Sequence, residues 1–456
     1  MLKNDTMTTF ELQEELTDLY TKNAERISRG TSDLINNQRA QALSDFSKMG
    51  IPSRKNENYR YTDLMPYLTG EYTYELAPAS FSVDLEELFR CDIPELNTHI
   101  VLALNGFYYE KNGPNKLPDG VIIESLAKAS LEYPELVNPH YSKYADTSLD
   151  SLAALNTLFA QDGIFIHVPK NTILDKPIQI INIGFSLQNL RITRRNLIVC
   201  EPGSKTSVLI CDHTLCKSSF ITNSLTEIYT GENASLDIVR MQNENSKSSQ
   251  INNSFICQAA GSNLSYNTIS LHGGLIRNNV FARLDGEGAS NQTHGLFFCD
   301  DNQHVGTLTN IHHAKPHCTS DQLFKGILDE NATGAFNGKI MVDKYAVKTQ
   351  AYQRNNNILL SGTAKMSTKP QLEIYNDDVK CSHGATVGQL DENALFYLRS
   401  RGIERKEAHH LLMYAFANEV IGKIRLEPLR ERMNDMVERR LRGELSQCDN
   451  CRVQYS

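Results

Sequence analysis

The sequence predicts a mainly β protein, a solenoid of stacked β coils set between helical N-terminal and C-terminal regions. Two observations predict it. Apolar residues at helical spacing are confined to the two ends of the chain, and the middle carries a strand–turn–strand unit that recurs. The turns are Gly203-Ser204, Asn233-Ala234, Asn263-Leu264, Gly288-Ala289, Asn331-Ala332 and Gly362-Thr363, at intervals of 30, 30, 25, 43 and 31 residues. Gly and Asn supply the left-handed backbone that such corners need. A β-sandwich with regular turns remains open on spacing alone.

The first region spans residues 1–150. Leu12, Leu16 and Tyr20 recur at helical spacing, and so do Leu34, Ile35, Leu43 and Phe46, before Gly50-Ile51-Pro52 stops the pattern. A mixed segment follows, with one clear strand over 99–104. The β core spans residues 151–390. The third region, 391–456, reads as helices: Asp391 is placed to cap one that Gly402 ends. Ala408, Leu411, Leu412, Ala415 and Phe416 outline a second apolar face, and Leu429, Met433, Met436, Val437 and Leu441 a third. They read as a cap on the β body or as a docking surface for a partner.

Composition narrows the function. The 456 residues include 46 Lys plus Arg against 54 Asp plus Glu, a net charge of −8, which argues against a broad nucleic-acid-binding face. No apolar run approaches the roughly 20 residues that span a bilayer, and the N-terminus lacks a secretory apolar stretch, so membrane insertion is not expected and the cytoplasm is. Ten irregularly spaced cysteines do not resemble a disulfide framework.

Three clusters could carry chemistry. In KPQLEIYNDDVKCSHGATVGQLD, Cys381 and His383 share one face of a strand, just after Asp377 and Asp378. Thiolate and imidazole suit iron, zinc or an iron–sulfur fragment, but two ligands are too few for a closed site. The stretch 299–322 holds Cys299, His304, His312, His313, His317 and Cys318. From it His312, His313, His317 and Cys318 are a weaker metal-site alternative. Cys448 and Cys451 form one CxxC near the C-terminus. No phosphate-binding GxxxxGK[ST], GxSxG or HExxH occurs. Asp285-Gly286-Glu287-Gly288 reads as a turn, since its carboxylates would repel a phosphate.

The segments LDGEGASNQTHGLFF, DQLFKGILDENATGAFNGKIMV, QRNNNILLS and KPQLEIYNDDVKCSHGATVGQLDENALFYLRSRGI resemble the SufB/SufD family of iron–sulfur cluster assembly scaffolds. RKNENYRYTDL resembles the family's Glu-x-Trp-Arg-Tyr-Thr element, with Tyr59 at the Trp position. The chain is more similar to SufD than to SufB. SufB carries Glu-His-Glu where this chain has Cys381-Ser382-His383, and the stretch 353–357 lacks SufB's cluster-binding cysteine. The resemblance implies a right-handed parallel β-helix and a non-catalytic scaffold in a complex with a SufB-like paralogue and a SufC-like ATPase. The C-terminal helices would dock the ATPase, and this chain would carry no nucleotide site. It also implies a transient cluster shared with SufB, with His383 and Cys381 as the ligand candidates at that interface, His383 as an imidazole ligand and Cys381 as a nearby thiol or spare ligand. A homodimer in isolation is compatible with two-fold pairing through the same surface. The competing expectation is a β-solenoid enzyme that binds a metal or acts on polysaccharide. Its groove would show aromatic rows, yet the 19 Tyr and 17 Phe form none in register with the turns.

Overall fold

A computed structural model describes residues 7–78, 97–109 and 117–444. Two helices open the chain. In α1 (Thr9–Ser28), Thr8 and Glu11 form a reciprocal cap: the Glu11 carboxylate accepts the Thr8 N–H at 2.6 Å and the Thr8 hydroxyl accepts the Glu11 N–H at 3.2 Å. Helix α2 (Asp33–Met49) ends on Gly50, whose φ of 66° is open to glycine at little cost. Leu12, Leu16, Tyr20, Ile35 and Phe46 are buried as the periodicity requires.

The coils follow. Strands β5 (Ile164–Val168) to β20 (Lys380–Gly388) alternate between two sheets, odd-numbered strands in sheet A and even-numbered strands in sheet B. Neighbours within each sheet are parallel, and register partners lie one coil apart, as in Ser249↔Leu275 and Thr333↔Lys365. Two earlier strands close the first coil. β2 (His99–Leu104), the strand expected from the sequence, pairs parallel with β6 (Ile178–Gly184), and β4 (Ile122–Ser125) pairs antiparallel with β5. The result is a parallel β-solenoid.

One corner explains the repeat. Asn171, Gly203, Asn233, Gly261, Gly288, His317 and Lys348 form a column with φ between 56° and 71°. From Gly203 onward each N–H donates to a carbonyl one coil further on, such as Gly203 to Glu232 at 2.8 Å and His317 to Val347 at 2.9 Å. The 43-residue gap in the sequence reading is thereby resolved. Asn331 and Gly362 belong to the opposite corner, after β16 (Thr319–Leu328) and β18 (Gln350–Leu359), and His317 is the next member of the first column. A residue with a Cβ pays a steric cost there. His317→Gly is therefore expected to stabilise the chain by about 0.5–1 kcal/mol in urea unfolding, after the entropy of the added glycine is offset.

The interior has an apolar and a polar side. Ile198, Ile228, Ile256, Ala282, Ile311 and Ile340 stack in register along sheet A. Facing polar residues centre on Asp212, which is fully buried between Arg194 and Arg240.

Helices cover both outer faces. On sheet A, α1, α2 and α6 (Ser151–Phe159) bury Leu12, Phe46 and Leu152 with Ile221, Ile251 and Leu275. On sheet B, α8 (Arg405–Ile421) and α9 (Glu427–Leu441) bury Met413, Val420, Leu429 and Met433 with Val239, Met241 and Leu296. The face of α8 differs from expectation: Ala408, Met413, Ala417, Val420 and Ile421 are inward, whereas Leu411 and Ala415 are exposed. The helix is apolar almost all round between 411 and 417, so its own pattern leaves the rotation open. Lys325 fixes it, donating to the Phe416 carbonyl at 3.0 Å and pairing with Glu419 at 2.5 Å. No helix among the described residues is long and apolar enough to cross a membrane.

Candidate functional site

The solenoid ends on β19 (Lys365–Ile374) and β20, and no further strand pairs with either of them among the described residues. Alternation along β20 puts Cys381, His383, Ala385 and Val387 on the side that is interior in every earlier coil. Register makes this explicit. The column Tyr266, Thr293, Gln322, Gln353 leads to His383, and Asn291, Ser320, Ala351 leads to Cys381. Gln322, Gln353 and Ala351 are buried, whereas His383 is exposed because the next coil is missing.

The two residues differ in setting. Cys381 is half-buried against Ile340, Val342, Ala346 and Ala351, and that burial pushes its thiol pKa up, against a smaller lowering by a backbone hydrogen bond at Ala351. His383 has no side-chain hydrogen bond among the described residues. Below it, Gln353 Nε2 donates to Gln322 Oε1 at 3.3 Å, and Gln353 Oε1 is buried without a partner. Asp377 and Asp378 lie in the corner before β20, where Asp378 pairs with Lys348 at 2.9 Å. Apolar side chains are exposed around this end: Tyr345, Tyr352, Leu360, Ile374, Tyr375 and Val387 on the last coils, and Phe396 and Tyr397 on α7 (Glu392–Ser400). Helix α7 starts at the expected cap, Asp391, whose Oδ1 accepts the Asn393 N–H at 2.8 Å.

The His-rich stretch is spread over the coil. His312 and His313 are adjacent on β15 (His304–His313), so they point to opposite faces. His312 points outward and meets Asp343 at 2.9 Å; His313 points inward and meets the Ser320 hydroxyl at 2.9 Å. His317 occupies the corner column, and Cys318 takes the small inward position held by Ser204 and Ser262 in other coils, donating to the Gly286 carbonyl. Among the described residues no three His, Cys, Asp or Glu side chains gather as a metal site. Cys299 is buried inside the solenoid. Cys448 and Cys451 lie outside the described residues.

Burial holds the pKa of His313 and of His304 down at about 4, with His312 adding to the effect at His313 and Arg277 at His304. Both imidazoles are neutral in the folded chain. Below pH 6.5 the unfolded chain takes up protons that the folded chain refuses, so stability falls as pH drops from 6.5 towards 4. Between pH 7.5 and 5 each histidine is expected to cost about 2 kcal/mol, read by urea unfolding. Gln in place of both should flatten the profile.

His304 has a structural task that links two distant segments. Its Nε2 is 2.9 Å from the Thr62 hydroxyl, and Arg277 donates to Thr62 at 3.2 Å and to the Asn58 carbonyl at 2.7 Å. Tyr59 lies buried under the Arg277 guanidinium, 4.8 Å from centroid to carbon. Glu57 reaches Lys369 of β19 at 2.5 Å. The segment RKNENYRYTDL is thus a strap across the outer face of sheet A, and Tyr fills the ring position within it.

Comparison with known proteins agrees with this architecture. The family model "SUF system FeS cluster assembly, SufBD core domain" matches residues 185–416, and "SufBD protein N-terminal region" matches residues 10–180. An iron–sulfur cluster assembly SufBD family protein of Synechocystis is 29% identical over 435 residues, covering 93% of this chain and 92% of its own length. The iron–sulfur cluster assembly protein SufD of Escherichia coli is 29% identical over 413 residues, 89% of this chain and 93% of that protein. SufD of Bacillus subtilis is 24% identical over 416 residues, 90% and 94% respectively. With more than half its length matched by the core model and most of the remainder by the N-terminal one, the chain belongs to the SufBD family of iron–sulfur cluster assembly proteins.

Proposed function

We propose that the chain is a SufD-like, non-catalytic scaffold subunit of a cytoplasmic SufBCD-type complex. The observation that carries the reading is the open last coil, where interior columns run out at Cys381, His383, Ala385 and Val387. Unpaired strand edges with exposed apolar neighbours are a template for pairing with another chain. A SufB-like solenoid set against β19 and β20 would bury this surface, and in its absence a second copy of this chain would do so. His383 then faces the partner and supplies an imidazole to the nascent cluster, which is cargo shared by the two subunits. Gln353, the register partner of His383, has an unpartnered buried oxygen and would accept one imidazole N–H, leaving the other nitrogen for iron. Cys381, kept protonated by burial, is a reserve thiol. The helices α7–α9, with Phe396, Tyr397 and Leu411 exposed, are the dock for a SufC-like ATPase.

The test is visible absorption of the complex co-purified anaerobically with its cognate SufB-like and SufC-like chains, wild type against His383→Ala. Three chains co-purifying, with colour in the wild type and its loss in the variant, support a shared site. Equal colour in both would place the ligands on the SufB-like chain. Failure of the three to co-purify would end the pairing reading.

A further inference from the structure

Away from the open end, the outer face of sheet A carries a cleft of about 210 Å3 beside the Lys143–Tyr144 loop. One wall is a rigid ladder: Cys257 of β11 (Ser249–Gln258), Arg283 of β13 (Leu275–Leu284) and His312 of β15 are successive register partners. Arg283 Nε donates to Asp285 at 3.2 Å, and its Nη1 meets His312 Nδ1 at 2.9 Å. A guanidinium can only donate, so Nδ1 accepts. His312 therefore carries its proton on Nε2, where Asp343 Oδ1 accepts it at 2.9 Å. His312 and the two carboxylates thus hold the Arg283 side chain in place, while its Nη2 has no partner among the described residues.

Asn310 also lines the cleft. Its side-chain oxygen is sealed from solvent and unpartnered. Lys143 brings an ammonium from the loop, and no Asp or Glu lines the cleft. The charged side chains that line it, Lys143 and Arg283, are therefore both cationic. The apolar wall is Tyr144 and Phe281, the latter stacked on Phe255 with centroids 4.9 Å apart and planes at 8°.

We propose that this cleft binds a small organic anion, its carboxylate held by Arg283 and Lys143 and its apolar body lying on Phe281 and Tyr144. Charge-assisted hydrogen bonds from a guanidinium suit a planar carboxylate. The volume is below the roughly 300–1,000 Å3 of sites for drug-sized ligands, which sets the guest at about one ring. This site is independent of the scaffold role.

The test is saturation-transfer NMR on the full chain with benzoate, benzylamine and inorganic phosphate as probes. Benzoate should receive saturation from the wild type, benzylammonium should not, and Arg283→Met should weaken benzoate at least ten-fold. Should Arg283→Met not fold, Lys143→Met, on the loop, is expected to weaken benzoate in the same direction. No contact with benzoate at millimolar concentration, equal binding by the variant, or equal binding of benzylammonium overturns the proposal. So does binding of phosphate without benzoate, since the apolar wall would then have no part.

Discussion

Asp212→Ala is expected to destabilise the chain by about 3–5 kcal/mol, the loss typical when one partner of a buried ion pair is removed. Asp212 has no solvent exposure. Its Oδ1 accepts from Arg194 at 2.6 Å and Asn182 at 2.9 Å, and its Oδ2 from Arg240 at 3.0 Å. Burial alone would raise the carboxyl pKa, but the two guanidinium groups outweigh it and hold the group ionised. Without it, two arginines remain charged inside the solenoid, hydrogen-bonded to neutral groups such as Ser224 and Asn252, and the acidic group left beside Arg194 is Glu244, whose carboxyl pKa burial pushes up to about 7. The cost arises from the orphaned charges, so a triple variant, Asp212→Leu with Arg194→Met and Arg240→Met, should recover much of it. Urea unfolding of the single and triple variants separates these cases. A loss under about 1 kcal/mol for Asp212→Ala would show that water reaches the triad.

Val387→Glu is expected to abolish pairing at the open end, weakening association at least 100-fold, about 3 kcal/mol, while leaving the isolated chain folded. Val387 is 42% exposed and lies on the interior side of β20, the side that a further coil would cover. A carboxylate there costs little in the free chain, because water solvates it; exposed substitutions usually fall within about 0.5 kcal/mol. In a paired solenoid it would be stripped of water with no cation supplied. Sedimentation of the chain alone and with a SufB-like partner reads the effect. Assembly unchanged by Val387→Glu, with normal unfolding, would be incompatible with pairing through β20.

The two helical termini and the β middle were legible because their cues are local. Periodicity exposes Leu12, Leu16 and Tyr20, the Asp391 cap follows from residue chemistry, and the strand at 99–104 from its apolar run. The repeat was legible too, but its phase was not. Gly, Asn, His and Lys all occupy the same left-handed corner, and only the coil's hydrogen bonds show that His317 and Lys348 belong with Gly288. Where the inward face lies was also hidden. A polar interior of Asp212, Gln322 and Gln353 reverses the usual apolar-in alternation, so period-two patterning alone gives no direction.

Sequence by itself determined the family, the class of fold and the pairing of Cys381 with His383 on one strand face, since each rests on local order along the chain. Tertiary structure decided the rest. It dispersed the histidines of 304–317 over a strap contact, an outer face, an interior and a corner, because a strand sends neighbours to opposite sides and a coil carries them around its axis. It also left His383 exposed at the end of a column whose earlier members are buried, a consequence of where the stacking stops rather than of any property of the residue.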